Sequence, residues 1–263
     1  MLILAAILLV GSWITTCLYF FLIQTRLVYR TNPDRPVMRR SAVYSGSEVT
    51  LNPDPGIENV CWHWPSANGY PTILFCHGNN LNIEVRASWM QFAIGRGFGL
   101  FMAGYRGFGG NPGTPTQAGL ITDALASYDH LSSIGVKDIH VLGHSLGSSV
   151  AVHLASERRC KSVGLLSPFT SMVDAAWDLY PFLPIRIILR DQWKSIDIIN
   201  KIDCPIMIVA CDRDTTVRYS RSKKLFAHAS SPKEFLNIPG VDHGDISLQG
   251  GPKALVDFFE RHR

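Results

Sequence analysis

The sequence predicts an α/β fold with a mostly parallel central sheet flanked by helices, preceded by an N-terminal transmembrane helix. Short apolar runs alternate with longer segments of helical periodicity, which is the pattern of βαβ units. The first 23 residues contain no charged side chain. Charged residues make up only 17% of the chain, against about 25% in typical soluble domains. Part of the apolar sequence is therefore expected outside a water-facing domain.

Residues 1–25 are predicted to be an uncleaved membrane anchor. At about 1.5 Å per residue, a helix of this length crosses the roughly 30 Å hydrocarbon layer. A cleaved signal peptide is the alternative, but it would need a basic start, a shorter apolar run and a small-x-small cleavage site, and none of these is evident. A buried core helix fits less well, because the segment is apolar on every side.

Residues 26–40 are predicted to form a basic juxtamembrane linker, because they contain five arginines and a single acid, Asp34. This asymmetry predicts a single-pass protein whose hydrophilic domain is cytoplasmic, with the N-terminus on the other side. A solvated basic linker without this role is the alternative. The net charge of +4 is partly explained by this cluster. The lipid bilayer, with its anionic headgroups, is therefore the expected partner, and no nucleic acid is expected.

Residues 41–263 are predicted to form one domain. It begins with an antiparallel hairpin, because residues 41–65 alternate apolar and polar side chains around a Pro/Gly turn. Buried strands are then expected at 72–76, 99–105, 138–143, 162–167, 205–211 and 234–239. Helices are expected at 83–95, 116–133, 146–157, 218–229 and 252–261. The apolar interval 168–202 is too long for a plain connection, and its prolines divide it, so it is expected to be a short helical cap inserted between two strands.

Ser145 is the candidate nucleophile. It lies in a Gly-x-Ser-x-Gly pattern, Gly143 to Gly147, between an expected strand and an expected helix. That pattern is typical of a nucleophile elbow, where the turn is too tight for neighbouring side chains. A helix N-cap serine is the alternative interpretation. A serine nucleophile needs a base and an acid, which should follow in the chain order Ser, Asp or Glu, His.

His243 is the candidate base, since it follows a late strand on a Gly-rich loop, whereas the other histidines after Ser145 lie in helices or the terminal tail. The candidate acids are Asp212 and Asp214, after the strand at 205–211. Asp214 lies further from the strand end, and Asp212 is expected to form the turn. A cation site at the two acids is the alternative, but no histidine or further carboxylate is nearby in the sequence.

Two backbone N–H groups are candidates for an oxyanion hole. Leu146 follows the nucleophile at the start of a helix, where the helix dipole adds a positive partial charge. His77-Gly78-Asn79 follows the first long central strand, so the backbone N–H of Asn79 is the second candidate. The alternative for His77-Gly78 is a simple strand-ending turn.

Five motifs together resemble the α/β-hydrolase superfamily over about residues 40–263: FCHGNN at 75–80, YRGFGGNPGTP at 105–115, GHSLGS at 143–148, DRDTTV at 212–217 and GVDHGD at 240–245. The chain looks most like its small, N-terminally anchored serine hydrolases, a branch that includes membrane-associated acyl-protein thioesterases. The resemblance implies the α/β-hydrolase fold, selects Asp214 by its spacing to Val217, and supports Asn79 and Leu146 as oxyanion donors. One departure is Asn80-Leu81-Asn82, where relatives usually carry a small residue or glycine.

These features predict a membrane-anchored serine hydrolase that cleaves an ester or thioester of a lipid, acyl-protein or small molecule through an acyl-enzyme on Ser145. No cofactor or metal is expected, because acyl transfer to serine needs neither. The six scattered cysteines also argue against a structural zinc site. A peptidase or acyltransferase of the same fold is one alternative. A non-catalytic lipid- or partner-binding protein is another, but such proteins typically lack a triad member.

Several other groups are expected to be non-catalytic. Cys76 should be an inert thiol in a buried strand, the loop around Arg106 should be structural, and His144 should have no catalytic task. The cap either lines an acyl-binding channel, rests in the membrane interface, or only packs over the sheet.

Overall fold

The computed structural model describes residues 1–38, 45–67, 69–80 and 83–263. Within these ranges the chain forms a sheet in the order β1-β2-β4-β3-β5-β6-β7-β8. The strands are β1 (Ser47–Leu51), β2 (Asn59–Trp64), β3 (Thr72–Cys76), β4 (Gly99–Met102), β5 (Ile139–His144), β6 (Ser162–Leu166), β7 (Ile206–Cys211) and β8 (Lys233–Ile238). The pairs β1–β2 and β2–β4 are antiparallel and the other neighbouring pairs are parallel. The predicted hairpin and mostly parallel sheet are confirmed, although residues 41–44 lie outside the described residues.

Helices cover both faces of the sheet. The helices of the described chain are α1 (Leu2–Val28), α2 (Ile83–Trp89), α3 (Gln91–Gly95), α4 (Gln117–Ser133), α5 (Leu146–Glu157), α6 (Met172–Leu179), α7 (Ile185–Ile188), α8 (Tyr219–His228) and α9 (Gly251–Arg261). Helices α4, α5 and α8 pack on one face, where Leu74 and Val141 of the central strands point. Helices α2, α3 and α9 pack on the other face, with Phe75 and Leu142. Because successive side chains of a strand alternate between the faces, the central strands must be apolar throughout.

Three elements differ from the sequence-based expectation. The strand predicted at 234–239 forms, but it is the edge strand β8 and is exposed or half-buried along its length instead of buried. The predicted helix 83–95 is divided at Met90, whose backbone leaves the helical conformation while its side chain is fully buried in the core. The predicted strand 99–105 ends at Met102, and the residues up to Tyr105 stay buried beyond the strand. An apolar run marks burial but does not by itself separate a strand from a buried turn or helix end.

Helix α1 extends past residue 25, to Val28, and contacts the domain at its C-terminal end, where Gln24 and Val28 are buried. It is the one helix of the described chain that is long and apolar enough to cross a membrane, judged by length and composition. The following segment also packs on the domain, since the buried Tyr29 donates a hydrogen bond from its hydroxyl to Asp191 Oδ2 at 2.8 Å. Arg39 and Arg40 of the predicted linker lie outside the described residues.

The predicted cap contains α6, α7 and two single-turn 3-10 helices, Ser195–Asp197 and Ile199–Lys201. Helix α6 is capped by Ser171, whose hydroxyl accepts the N–H of Asp174 at 3.0 Å, and it ends before Pro181, which cannot continue a helix. Gln24 joins α1 to the cap. Its Nε2 donates to the Ile188 carbonyl at 2.9 Å, and its Oε1 accepts the N–H of Arg190 at 2.7 Å.

Candidate active site

Ser145 occupies a strained turn between β5 and α5. Its φ is 53° and its ψ is −119°, a region that side-chain-bearing residues rarely adopt. A Cβ on Gly147 would lie 2.0 Å from the Cys76 carbonyl oxygen, and a Cβ on Gly143 would lie 2.4 Å from the Gly147 carbonyl oxygen. Only glycine fits at these two positions. The turn therefore stays tight, and Ser145 lies at the carboxyl edge of the sheet, where the loops converge.

Three of the predicted site residues are joined in a line by two hydrogen bonds, although they come from three separate connections between elements. His243 Nε2 lies 2.9 Å from Ser145 Oγ, and His243 Nδ1 lies 2.7 Å from Asp214 Oδ2. Because a carboxylate can only accept, Nδ1 carries the proton and Nε2 is left to accept the serine hydroxyl. This tautomer is the one that a general base for Ser145 requires.

Asp214 is held by its own loop, and the neighbouring acids have other partners. Asp214 Oδ1 accepts the backbone N–H groups of Thr216 at 2.9 Å and Val217 at 2.6 Å. Asp212 Oδ1 accepts the N–H of Gly240 at 2.7 Å, away from the histidine ring. Asp242 accepts the N–H of Thr215 at 2.7 Å and its hydroxyl at 3.0 Å. Asp214 is thus the acid of this loop whose side chain reaches the imidazole of His243.

The two candidate oxyanion donors line the same cavity as Ser145 and His243. Leu146 is the first residue of α5, and Asn79 lies in the loop after β3. The side-chain amide of Asn79 donates to the Val28 carbonyl at 3.2 Å. The last residue of α1 therefore anchors the loop that carries the second candidate donor. Leu81 and Asn82, part of the departure from the family pattern, lie outside the described residues.

Arg86 was not singled out from the sequence, yet it is buried beside the candidate site. Its Nη2 donates to the Asn80 carbonyl at 3.0 Å and to Asn80 Oδ1 at 3.1 Å, and its Nη1 contacts His144 Nδ1. Burial lowers the pKa of Arg86 to about 10. A sequence signal existed, because Arg86 lies on the face of α2 that also carries the buried Ile83 and Ala87. A cation at a core position is rare without a polar role.

His144 is held neutral between Arg86 and His243. Burial lowers its pKa well below the usual range, and the positive charge of Arg86 lowers that pKa further. Its ring stacks on the His243 ring with centroids 5.6 Å apart. His144 makes no hydrogen bond to Ser145 or Asp214 among the bonds described for these residues.

A cavity of about 500 Å³ lies beside Ser145, within the roughly 300–1,000 Å³ range of small-molecule sites. Its apolar wall combines α1 with the cap: Phe20, Leu27, Val28, Met172, Ala175, Ala176, Leu179, Leu183, Ile185, Ile188 and Leu189. Its polar lining includes Ser145, His243 and Asn79, and also Gln24 and Arg30 on the side of α1. The contribution of α1 was not foreseen from the sequence, which indicated a membrane anchor but not a wall of the cavity.

The other expected non-catalytic groups have structural surroundings. Cys76 is fully buried, and burial raises the pKa of its thiol to about 12. Arg106 forms ion pairs with Asp123 and Asp54, each at 2.7 Å, which fix its loop. Within the described ranges no group of three His, Cys, Asp or Glu side chains lies where it could hold a metal ion.

A doubly covered, mostly parallel sheet with a serine on a strained strand-to-helix turn defines the class of α/β hydrolases. A family model described as the alpha/beta hydrolase fold matches residues 71–183. In fold, the chain is similar to Est1E from Butyrivibrio proteoclasticus, solved with ferulic acid. The TM-score is 0.68 at 21% identity, covering 81% of this chain and 98% of that one.

Sequence relatives agree with this class. The alpha/beta hydrolase domain-containing protein WAV2 of Arabidopsis thaliana is 31% identical over 275 residues, which cover 91% of this chain and 88% of the relative. The lysophosphatidylserine lipase ABHD12 of Danio rerio is 29% identical over 225 residues, which cover 70% of this chain and 58% of the relative. The chain belongs to the α/β-hydrolase superfamily, and its fold and relatives support hydrolase activity.

Proposed function

We propose that this protein is a membrane-anchored serine hydrolase that cleaves an ester or thioester, with Ser145 as nucleophile, His243 as general base and Asp214 as the acid that orients the base. One observation carries the proposal: a continuous line of hydrogen bonds, 2.7 Å from Asp214 to His243 and 2.9 Å from His243 to Ser145. These distances suit proton transfer from the serine hydroxyl.

In the first half of the reaction, Ser145 Oγ attacks the carbonyl carbon of the substrate and its proton passes to His243 Nε2. Asp214 stabilises the resulting imidazolium. The oxyanion accepts the backbone N–H groups of Leu146 and Asn79. The tetrahedral intermediate then collapses, the alcohol or thiol leaves with the proton from Nε2, and the acyl group stays on Ser145.

In the second half, His243 Nε2 takes a proton from a water molecule as that water attacks the acyl carbon. The second tetrahedral intermediate uses the same two backbone donors. Its collapse releases the carboxylic acid, and the proton on Nε2 returns to Ser145 Oγ. Ser145, His243 and the attacking water account for every proton in this cycle, so the proposed reaction needs no cofactor.

A lipid or other long-chain acyl group is the proposed substrate class. The cavity beside Ser145 has an apolar wall from α1 and the cap, which suits an acyl chain whose carbonyl lies at Ser145. The similarity to the lysophosphatidylserine lipase of Danio rerio supports the same class. The substrate of this chain is then an ester or thioester held in or near the bilayer.

The domain organisation follows from this role. We propose that residues 1–25 anchor the protein, that 26–40 form the basic juxtamembrane segment, and that 41–263 form the hydrolase domain with its cap at 168–202. The excess of arginine after α1 supports a cytoplasmic position for the hydrolase domain.

Covalent labelling tests the nucleophile. A fluorophosphonate probe should label the detergent-solubilised wild-type protein and the control Ser133→Ala, which changes an exposed serine at the end of α4. Ser145→Ala should show no adduct. A wild-type protein without an adduct, or an equal adduct on Ser145→Ala, would contradict the proposal. A panel of short- and long-chain esters and thioesters on the same preparation then ranks the acyl groups.

A further inference from the structure

The tip of the cap lies beside the middle of helix α1. Trp13 is near the midpoint of this 27-residue helix, and its Nε1 donates to the Phe182 carbonyl at 3.1 Å. Towards the C-terminal end of α1, the Phe20 ring packs on Tyr180 with centroids 5.2 Å apart. The Arg190 guanidinium lies over the Phe21 ring at 4.3 Å. The cap therefore runs alongside the C-terminal half of α1.

This arrangement limits how α1 can cross a bilayer. Residues 2–12, ahead of the contact with the cap, rise about 16 Å at ~1.5 Å per residue, which is roughly half of the ~30 Å hydrocarbon layer. The whole helix rises about 40 Å and is long enough. A membrane-spanning α1 thus requires the tip of the cap to enter the hydrocarbon with it.

The side chains of the cap suit such a position. Four of its large apolar side chains are exposed: Trp177 at 48%, Leu179 at 53%, Phe182 at 58% and Ile187 at 83%. On α1, the side chains of Leu18, Tyr19 and Leu22 are exposed as well. In water these two surfaces would form an apolar patch, whereas in a bilayer each would contact acyl chains.

The charged groups near this surface are compatible with a boundary at the headgroups. Arg190 lies at the level of Phe21, and Arg26 and Arg30 follow further along the chain, where basic side chains favour the lipid headgroups. Asp178, the acid closest in sequence to the exposed cap residues, is paired with Arg221 at 2.8 Å. Arg186 is exposed, and its long side chain can extend towards the headgroups.

We propose that the tip of the cap, residues 177–187, enters the hydrocarbon of one leaflet beside α1, and that the catalytic cavity takes its acyl substrate from that leaflet. The second part rests on the proposed hydrolase function. Leu27 of α1 and Leu179 of the cap both line the cavity and are both exposed. An acyl chain that enters between Leu27 and Leu179 contacts the apolar wall of the cavity on its way to Ser145.

Depth measurements test the first part without any need for activity. The variants Phe182→Cys and Ile187→Cys are each spin-labelled in a Cys17→Ser, Cys204→Ser background, because the other four native cysteines are buried. The full-length protein is placed in vesicles of phosphatidylcholine and phosphatidylglycerol. The control label replaces Ile134, which is 51% exposed and lies between α4 and the start of β5, at the opposite edge of the sheet.

For each label, the measured quantity is the ratio of its collision rate with oxygen to its collision rate with a water-soluble nickel complex. This ratio should be at least fivefold higher for the labels at 182 and 187 than for the label at 134. Equal nickel accessibility at 182 and 134 would overturn the proposal, since the cap would then lie in water. This result stands whether or not the protein hydrolyses esters.

Turnover tests the second part. Phe182→Asp with Ile187→Asp should lower the hydrolysis of a long-chain ester in vesicles at least tenfold, while hydrolysis of a water-soluble acetate ester stays within twofold. Ile134→Asp should change neither rate. Unchanged turnover of the vesicle ester by the double variant would overturn leaflet access. A wild-type protein that cleaves neither ester would refute the hydrolase proposal instead, and the spin-label result would be unaffected.

Discussion

The guanidinium of Arg86 contacts the imidazole of His144, and both side chains are buried beside Ser145. Arg86 forms no ion pair with a carboxylate in the part of the chain that the structure describes, and it donates instead to the two oxygens of Asn80. A buried cation thus holds the loop that carries Asn79. It also helps to keep His144 neutral, which matters because a second positive ring 5.6 Å from His243 would oppose formation of the imidazolium.

Arg86→Met should lower kcat by roughly 10- to 100-fold, with a smaller change in KM. The loop with the Asn79 N–H would lose its hydrogen bonds to Arg86, and full loss of one oxyanion donor costs about 10²–10³ in kcat. The thermal midpoint should not fall by more than a few degrees, since an apolar side chain of similar size often replaces a buried charge without loss of stability. Steady-state kinetics and thermal unfolding in detergent measure both quantities.

Arg86→Lys is the matched control for charge. A lysine keeps the positive charge but cannot donate to both Asn80 and His144 in the same geometry, so its kcat should lie between those of the wild type and Arg86→Met. If Arg86→Met keeps full kcat, Arg86 does not position the oxyanion loop. A loss of kcat that is matched by unfolding would assign Arg86 to stability alone.

Asp214→Asn should lower kcat by about 10³–10⁴-fold, because the amide no longer holds His243 in the tautomer that accepts the serine proton. Asp212→Asn is the control from the same loop, and an asparagine oxygen can still accept the N–H of Gly240. Its kcat should stay within about threefold, as expected for a substitution that keeps its hydrogen bond. Comparable losses in the two variants would show that the loop, and not a specific acid, supports the reaction.

The sequence predicted the sheet, its flanking helices and the loops of the candidate site, because each depends on a local pattern. Apolar runs mark the buried strands, and the glycines around Ser145 mark a tight turn. The sequence did not predict that α1 lines the cavity. The contact between Gln24 and Ile188 joins residues 164 positions apart. An apolar pattern predicts that a surface is buried, but it does not predict which element packs on that surface. The spacing of Arg86 to Ile83 and Ala87 indicates that it is buried, but its partners are set by tertiary packing and could not be predicted.

Gly147→Ala should destabilise the protein and abolish activity. The added Cβ would lie 2.0 Å from the Cys76 carbonyl oxygen, so α5 and β3 would have to separate at the elbow. Overpacking of this kind costs about 2 kcal/mol or more in the free energy of unfolding. Denaturant unfolding and the fluorophosphonate adduct on Ser145 provide the two measurements.

Gly95→Ala is the matched control, because a Cβ at this position meets no atom within 4 Å. Its free energy of unfolding should be unchanged or higher by up to about 1 kcal/mol, with full labelling of Ser145. Gly147→Ala with wild-type stability and labelling would show that the elbow can relax, and the strained turn would then not depend on glycine.

Acidification should destabilise the protein through its buried histidines. Burial lowers the pKa of His140 to about 3 and that of His77 to about 3, against about 6.5 in an unfolded chain. Between these values the unfolded chain binds protons that the folded protein does not, so stability is complete above pH 6.5 and falls as the pH falls below it. For His140, the loss between pH 7 and pH 5 is about 2 kcal/mol.

His140→Phe isolates this contribution. The His140 ring is fully buried, stacks on Phe259 with centroids 4.7 Å apart, and bonds to Ser162 Oγ at 2.8 Å. Phenylalanine keeps the stacking surface but cannot take up a proton. Guanidinium unfolding at pH 7 and pH 5 should therefore show a loss of stability that is smaller by about 2 kcal/mol in the variant than in the wild type. An equal loss in both proteins would mean that His140 does not drive the acid sensitivity, and that other groups, His77 and His144 among them, account for it.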